Sequence, residues 1–433
     1  MLANLAGAKT SSKGELSLET RAFWIDSDSL TDDYGLALAG RFQFKWKSKY
    51  WRLKLGAFGR VGALDINRSL LFAEDAYIAF RNRWIRIRIG AQVLNWSATE
   101  AFHPADIINS RNFDSNLENA EKLGEPMVSL NVRLWEGARL EAFYMPLRLA
   151  PRLPGTNSRL SFSPSSTTTS LSSTPIRLVL GDILFVNRNG AISRQLVSHQ
   201  WGARLAQTVG GADIAVQVVQ HNDRSQPSFA GESFDLSDGV PSSFRIQPVY
   251  NFVTHAGLTY THVIEDIVIK LESAYRYFHH VDASSRLSIT AFGPLRPKAH
   301  IQVAAGIEYG WVYPNDHEAT LILEGQAFIW PEGRARGPSG QAFQGPFEND
   351  VLLGYRHSFN DEDSKELMFT FISDVTRWPE VLVSASYSQR LSDVWGIKTG
   401  IRLIWAPPTD AFPTNLQALN TDHQLNLSVT RYF

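Results

Sequence analysis

The chain has 433 residues, 42 Lys and Arg against 43 Asp and Glu, no Cys, and a formal net charge of −1. A balance this close to neutral argues against nucleic acid as a partner, and the lack of any run of 18 or more uncharged apolar residues excludes a membrane-spanning helix. The absence of Cys fits an exported bacterial protein; the first residues lack a basic start and a long apolar run, so the expectation is a mature form with an added start Met.

Residues 1–12 read as a lead-in, and alternation begins at once after it. Residues 13–24 place Leu16, Leu18, Thr20 and Ala22 on one face and Glu15, Ser17, Glu19 and Arg21 on the other. Residues 34–46 repeat this with Leu36, Leu38, Phe42 and Phe44 against Arg41, Gln43 and Lys45. Residues 51–61 set Leu53, Leu55 and Ala57 against Arg52, Lys54, Phe58 and Arg60. Residues 72–80 carry Ala76, Ile78 and Phe80 on the apolar side and Tyr77 on the other. Residues 83–96 are the clearest case. Ile85, Ile87, Ile89, Ala91 and Val93 face one way, and Arg86, Arg88, Gly90 and Gln92 the other. Long cationic side chains between isoleucines fit no helix; they fit a strand with one face in oil and one in water.

A long connection, 97–125, follows, within which 98–108 reads as a short helix. Strands 127–135 and 138–145 form a hairpin at Glu136-Gly137. The longest insertion, 146–195, contains a Ser/Thr run (161–174) and an apolar stretch, 176–186, that needs a surface to cover. Strands then run at 198–208, 212–221, 250–263, 267–278, 299–311, 319–329, 350–359, 366–374, 381–389, 395–405 and 423–433. The polar stretch 222–243 reads as another long connection. Beginning and end of this series give 18 strands, with 16 or 20 following from one missed or invented hairpin. Every second connection is short and all the long ones fall on the opposite end. Short turns at one rim and long loops at the other, with strands of about 10 residues, is the arrangement of a transmembrane antiparallel up-and-down β-barrel. The expected fold class is therefore all-β, with residues 13–433 as a single barrel domain. Nine tryptophans (24, 46, 51, 84, 135, 311, 330, 395 and 405) fall near strand ends, as aromatic girdles require.

An 18-strand barrel is too wide for its wall side chains to fill, so inward charges would border water. Inward candidates for a solute path are Arg21, Arg41, Lys45, Arg52, Lys54, Arg60, Arg86 and Arg88 from the first five strands, joined by Lys270, Arg276, Lys398 and Arg402. Rings of Arg and Lys favour anions; the competing reading is a wall of paired charges that only holds water. The two long insertions, 97–125 and 146–195, are the constriction or plug candidates.

Three stretches carry a resemblance. Gly90-Ala-Gln-Val-Leu-Asn-Trp96 followed by Phe102-His-Pro-Ala-Asp-Ile-Ile-Asn-Ser-Arg111 resembles the strand-and-loop signature of an uncharacterised proteobacterial outer-membrane barrel family, Gly-x-Gln, Trp-Gly and Asp-x-x-Asn-x-Arg, with Ser97 where that pattern has Gly. The 18-strand count with a basic lumen resembles, in architecture, the alginate-export porins. The C-terminal Leu425-Asn-Leu-Ser-Val-Thr-Arg-Tyr-Phe433 resembles the outer-membrane assembly signal, with Arg431 where an aromatic is expected. The resemblances imply the bacterial outer membrane as location, with its lipid and lipopolysaccharide as surroundings and the barrel-assembly machinery as a partner of the Phe433 strand.

No G-x-S-x-G, H-E-x-x-H or P-loop occurs. His279-His280 near Asp282 reads as a polar rim before a catalytic pair, and Asp361-Glu362-Asp363 as a solvated turn before a calcium loop. The expectation is a porin-like channel, not an enzyme, without cofactor or metal, passing small polar or anionic solutes. The alternative is a loop-plugged barrel that serves a protein partner as receptor, anchor or assembly component.

Overall fold

The computed structural model describes residues 8–24, 33–64, 68–114, 120–154, 158–160, 177–225, 227–237, 240–282, 296–336, 347–407, 415–420 and 422–433. Eighteen antiparallel strands close into one barrel. They are β1 (Lys9–Phe23), β2 (Tyr34–Lys47), β3 (Trp51–Gly62), β4 (Leu70–Arg81), β5 (Ile85–Gln92), β6 (Glu125–Arg133), β7 (Ala138–Leu147), β8 (Val197–Val209), β9 (Ala212–Asn222), β10 (Phe252–Ile264), β11 (Ile267–Phe278), β12 (His300–Val312), β13 (Glu318–Ile329), β14 (Asp350–Ser358), β15 (Glu366–Asp374), β16 (Val381–Ser392), β17 (Trp395–Trp405) and β18 (Gln424–Tyr432). Each strand pairs with its sequence neighbour, and β1 closes on β18. The C-terminal residue seals the seam, with Gly14 N donating to Phe433 O at 2.8 Å and Phe433 N donating back at 3.0 Å. Closure leaves no open edge, the condition for a sheet in a bilayer.

The alternation holds. Leu16, Leu18, Leu38, Phe42, Leu55, Ile78, Ile87 and Ile89 are exposed on the outer face, while Arg21, Arg60 and Phe58 are buried inside. Outward exposure of large apolar side chains continues around the barrel, so its outer surface is built for lipid.

The structure departs from expectation in five places. β1 starts at Lys9, inside the expected lead-in; Met1 to Gly7 lie outside the described residues. β5 stops at Gln92, four residues early, and the 98–108 stretch forms turns, not a helix. Trp330 lies against the inward His300, ring centroids 4.4 Å apart, and so is no girdle residue. The supposed connection 222–243 contains a hairpin, Ser228–Ser237 with Val240–Tyr250. That hairpin is the partner the apolar stretch of the long insertion needs: Arg177–Leu180 and Leu184–Val186 both pair parallel to it, and Leu184 and Val186 bury against Ala230 and Val249. The 161–174 Ser/Thr run lies outside the described residues.

Candidate functional site in the lumen

The end of β5 directs the chain into the barrel. β4 carries a bulge opposite Gly56: Leu55 faces Ala76 while Ala57 faces Ala73. The extra residue turns Glu74 and Asp75 off the simple alternation. Gly90, at φ +133°, lies so close to this bulge that a Cβ would sit 2.3 Å from Ala76 O. Only glycine fits there. Asp75 then accepts the Val93 N–H at 2.9 Å, and Asn109 holds both ends of the departing segment, accepting from Leu94 N and donating to Gln92 O and Leu123 O, each at 2.8 Å.

The segment between β5 and β6 crosses the lumen and docks on both walls. On one side Leu94, Trp96, Ile107 and Ile108 bury against Met127 of β6, Phe143 and Met145 of β7 and Val219 of β9. On the other side Phe102 packs among Ile322, Leu352, Ile372, Leu382 and Ile404. These five come one each from β13 to β17, all on the inward face. Burial of a Phe side chain at such a site contributes about 1.5–3 kcal/mol.

Between these apolar contacts, two buried carboxylates hold the backbone. Glu272 of β11 is 0% exposed and Glu324 of β13 is 1% exposed. Glu272 accepts the N–H of Ala98, that of Thr99 at 2.9 Å and that of Ala105 at 3.0 Å. Glu324 accepts those of Glu100 at 2.5 Å and Ala101 at 2.9 Å. Five main-chain donors without a regular partner in the segment are thus satisfied by two side chains from the wall. Lys270 adds a third tie, reaching Glu100 at 2.6 Å and Glu308 at 2.5 Å. Burial alone would raise the Glu100 carboxyl, but its bond to Lys270 prevails and holds it below the ordinary range. Burial, reinforced by Arg111, pushes His103 down to about 4, so the imidazole is neutral at pH 7. Asp106 binds Arg111 at 3.0 Å and also Lys122.

The long insertion reaches the same space from the rim. Arg152 pairs with the crossing segment through Phe113 N and Arg111 O, and Arg159 reaches the β1–β2 and β17–β18 connections at the same rim, binding Asp33 at 2.7 Å and Asp422 at 2.6 Å.

A cavity of about 740 Å³ remains beside the crossing segment. Among the described residues its lining holds eight Lys and Arg against four Asp and Glu. Of the twelve sequence candidates, Arg21, Arg60, Arg276, Lys398 and Arg402 line it. Arg60 is committed to Glu19 at 2.9 Å and Glu121 at 2.8 Å. Arg41 (to Glu15 and Glu74) and Lys54 (to Asp75) are also paired, outside the cavity. Lys270 serves the crossing segment. Arg86 lines a second pocket, described below. Arg88 lies over Tyr77 and donates to Ser129, while Lys45 and Arg52 stand in direct register with Lys54 and Lys47. Sequence reasoning missed Arg68, Arg111 and Arg224 at the cavity because they lie on connections, where alternation carries no information. His279 donates to or accepts from Thr254 at 2.8 Å and packs between Phe252 and Tyr277, an aromatic rim contact.

A family model described as "Protein of unknown function (DUF1302)" matches residues 69–376. No curated protein matches the sequence. Among solved structures the chain is similar to OccAB1 of Acinetobacter baumannii (7% identity, TM-score 0.52, covering 98% of this chain and 96% of that one). It is similar to OpdQ of Pseudomonas aeruginosa (10%, 0.50, 98% and 97%) and to a BenF-like porin of Pseudomonas fluorescens Pf-5 (7%, 0.50, 99% and 99%). At these identities the likeness establishes the barrel fold.

Proposed function

The chain belongs to the family described as protein of unknown function DUF1302, with the fold of outer-membrane porins, and from that premise we propose that it is an outer-membrane channel for passive movement of small polar or anionic solutes. The observation that carries the reading is the cavity: a space of about 740 Å³ inside a lipid-facing barrel, bordered by twice as many cations as carboxylates. Rings of Arg and Lys lower the barrier for anions and raise it for cations. In this reading the rim of short turns faces the periplasm and the long loops face outward.

The test is planar-bilayer recording of the purified barrel. Stepwise conductance with anion preference is expected, and joint neutralisation of Arg21, Lys398 and Arg402 to Gln should move the reversal potential under a salt gradient toward zero. A bilayer that stays sealed at high protein load overturns the open-channel reading. Because the crossing segment occupies the lumen, that outcome, together with a stable co-purifying protein, would favour the loop-plugged receptor or assembly component.

A further inference from the structure

The inward wall near the short-turn rim holds a second pocket, about 410 Å³, lined by Arg81, Arg83, Arg86, Arg133 and Arg139 with Asn131. Its construction is costly. Arg81 and Arg86 stand directly opposite each other on β4 and β5, and Arg133 and Arg139 do so on β6 and β7. Like charges in such register lie about 5 Å apart at Cβ and destabilise a sheet. No carboxylate lines the pocket. Glu141, the nearest inward acid on β7, accepts a hydrogen bond from Asn131 at 2.6 Å and attracts Arg86 across it without forming an ion pair, and Glu136 sits in the turn beyond. Among the described residues none of the five arginines makes an ion pair. The contrast with Arg41, Lys54 and Arg60, each neutralised by a carboxylate one or two strands away, shows that the same wall pairs its cations elsewhere.

We propose that this pocket binds a small multivalent oxyanion, a di- or tricarboxylate or an oligophosphate, as the last station of the solute path. The forked guanidinium suits such groups because it donates two parallel hydrogen bonds. Arg86, Arg133 and Arg139 belong to the inward phase of their strands, so the occupant is a solute in the lumen. The proposal rests on the channel reading and adds a resting site to it.

The experiment is calorimetric titration of inorganic pyrophosphate into the detergent-solubilised barrel, beside thermal unfolding at low salt. Saturable binding and a rise in Tm with pyrophosphate are expected. In R81Q/R86Q/R133Q/R139Q affinity should fall at least tenfold, while Tm without anion should rise, since the repulsion is gone. A K47Q/K49Q control on the adjacent turn should keep affinity within twofold. If the fourfold variant does not fold, R133Q/R139Q serves and should show the same two opposed changes. Equal loss in the lysine control, no binding by the wild type, or a lower anion-free Tm in the arginine variants overturns the proposal. Pyrophosphate affinity that vanishes in phosphatidylglycerol nanodiscs, and persists in phosphatidylcholine ones, overturns the solute in favour of a lipid phosphate. Binding is read without current, so a silent bilayer with intact binding would refute the open channel alone.

Discussion

The two ends of the lumen treat cations differently. Around the crossing segment they are bound by carboxylates: Arg60 by Glu19 and Glu121, Arg68 by Glu19, Lys270 by Glu100 and Glu308, Arg159 by Asp33 and Asp422. Near the short-turn rim Arg81, Arg86, Arg133 and Arg139 face one another. On the strands both regions read alike in sequence, as Arg or Lys on the inward phase, while Arg68 and Arg159 come from connections. The difference is one of purpose. Paired cations anchor chain that would otherwise swing in the lumen; cations in mutual repulsion keep their field for something that arrives. An ion pair has little field left at a distance, particularly behind salt screening of about 8 Å at physiological strength.

The comparison can be broken most forcefully at the anchor. E272A/E324A removes the acceptors of five main-chain N–H groups. Each unsatisfied buried donor costs about 1–3 kcal/mol, so the segment should leave the wall and single-channel conductance should at least double. Unchanged conductance would show that the crossing segment does not limit the path. F102A comes next: it empties the site among Ile322, Leu352 and Ile372 and should lower stability by about 3–5 kcal/mol, measured by denaturant unfolding.

Acid should loosen the same anchor more gently. Burial and Arg111 hold His103 at about 4, against about 6.5 for a freed imidazole. The released segment therefore binds more protons between these values, and docking weakens as pH falls through 6.5 toward 4. Current fluctuations should grow from pH 7.5 to pH 5, and H103Q should remove that part of the change. The smallest effect is expected at Arg41. Its side chain is 42% exposed despite two ion pairs, so R41Q should cost under about 1 kcal/mol by the same unfolding measurement and barely move selectivity.

The number of strands, their order and the face most strand residues present were legible because alternation is a local property; the bulge at Glu74 and Asp75 and the inward turn of Trp330 were not. One residue of slip would put Arg86 and Arg88 into lipid, and no such register survives. The crossing segment was legible in its ends: Gly90 marks a close backbone approach and Asn109 and Arg111 fall within the quoted motif. Its conformation was not. Turns held by distant side chains have no period, and the stretch 98–108 looked helical because nothing nearby declares that Glu272 and Glu324, some 170 and 220 residues later, will take its N–H groups. A faint signal did exist. Leu321-Ile322-Leu323, Leu352-Leu353 and Val381-Leu382-Val383 break the alternation with an apolar inward residue, which makes sense only if something covers it.

What the sequence by itself determined is the wall: eighteen strands with lipid on one side and polar space on the other, since covalent geometry sends successive side chains to opposite faces. Which cations are neutralised, which repel, and what fills the lumen were decided only in the tertiary structure. Those outcomes depend on distances between strands and loops far apart along the chain, and closure of the barrel is what brings them within reach of a hydrogen bond.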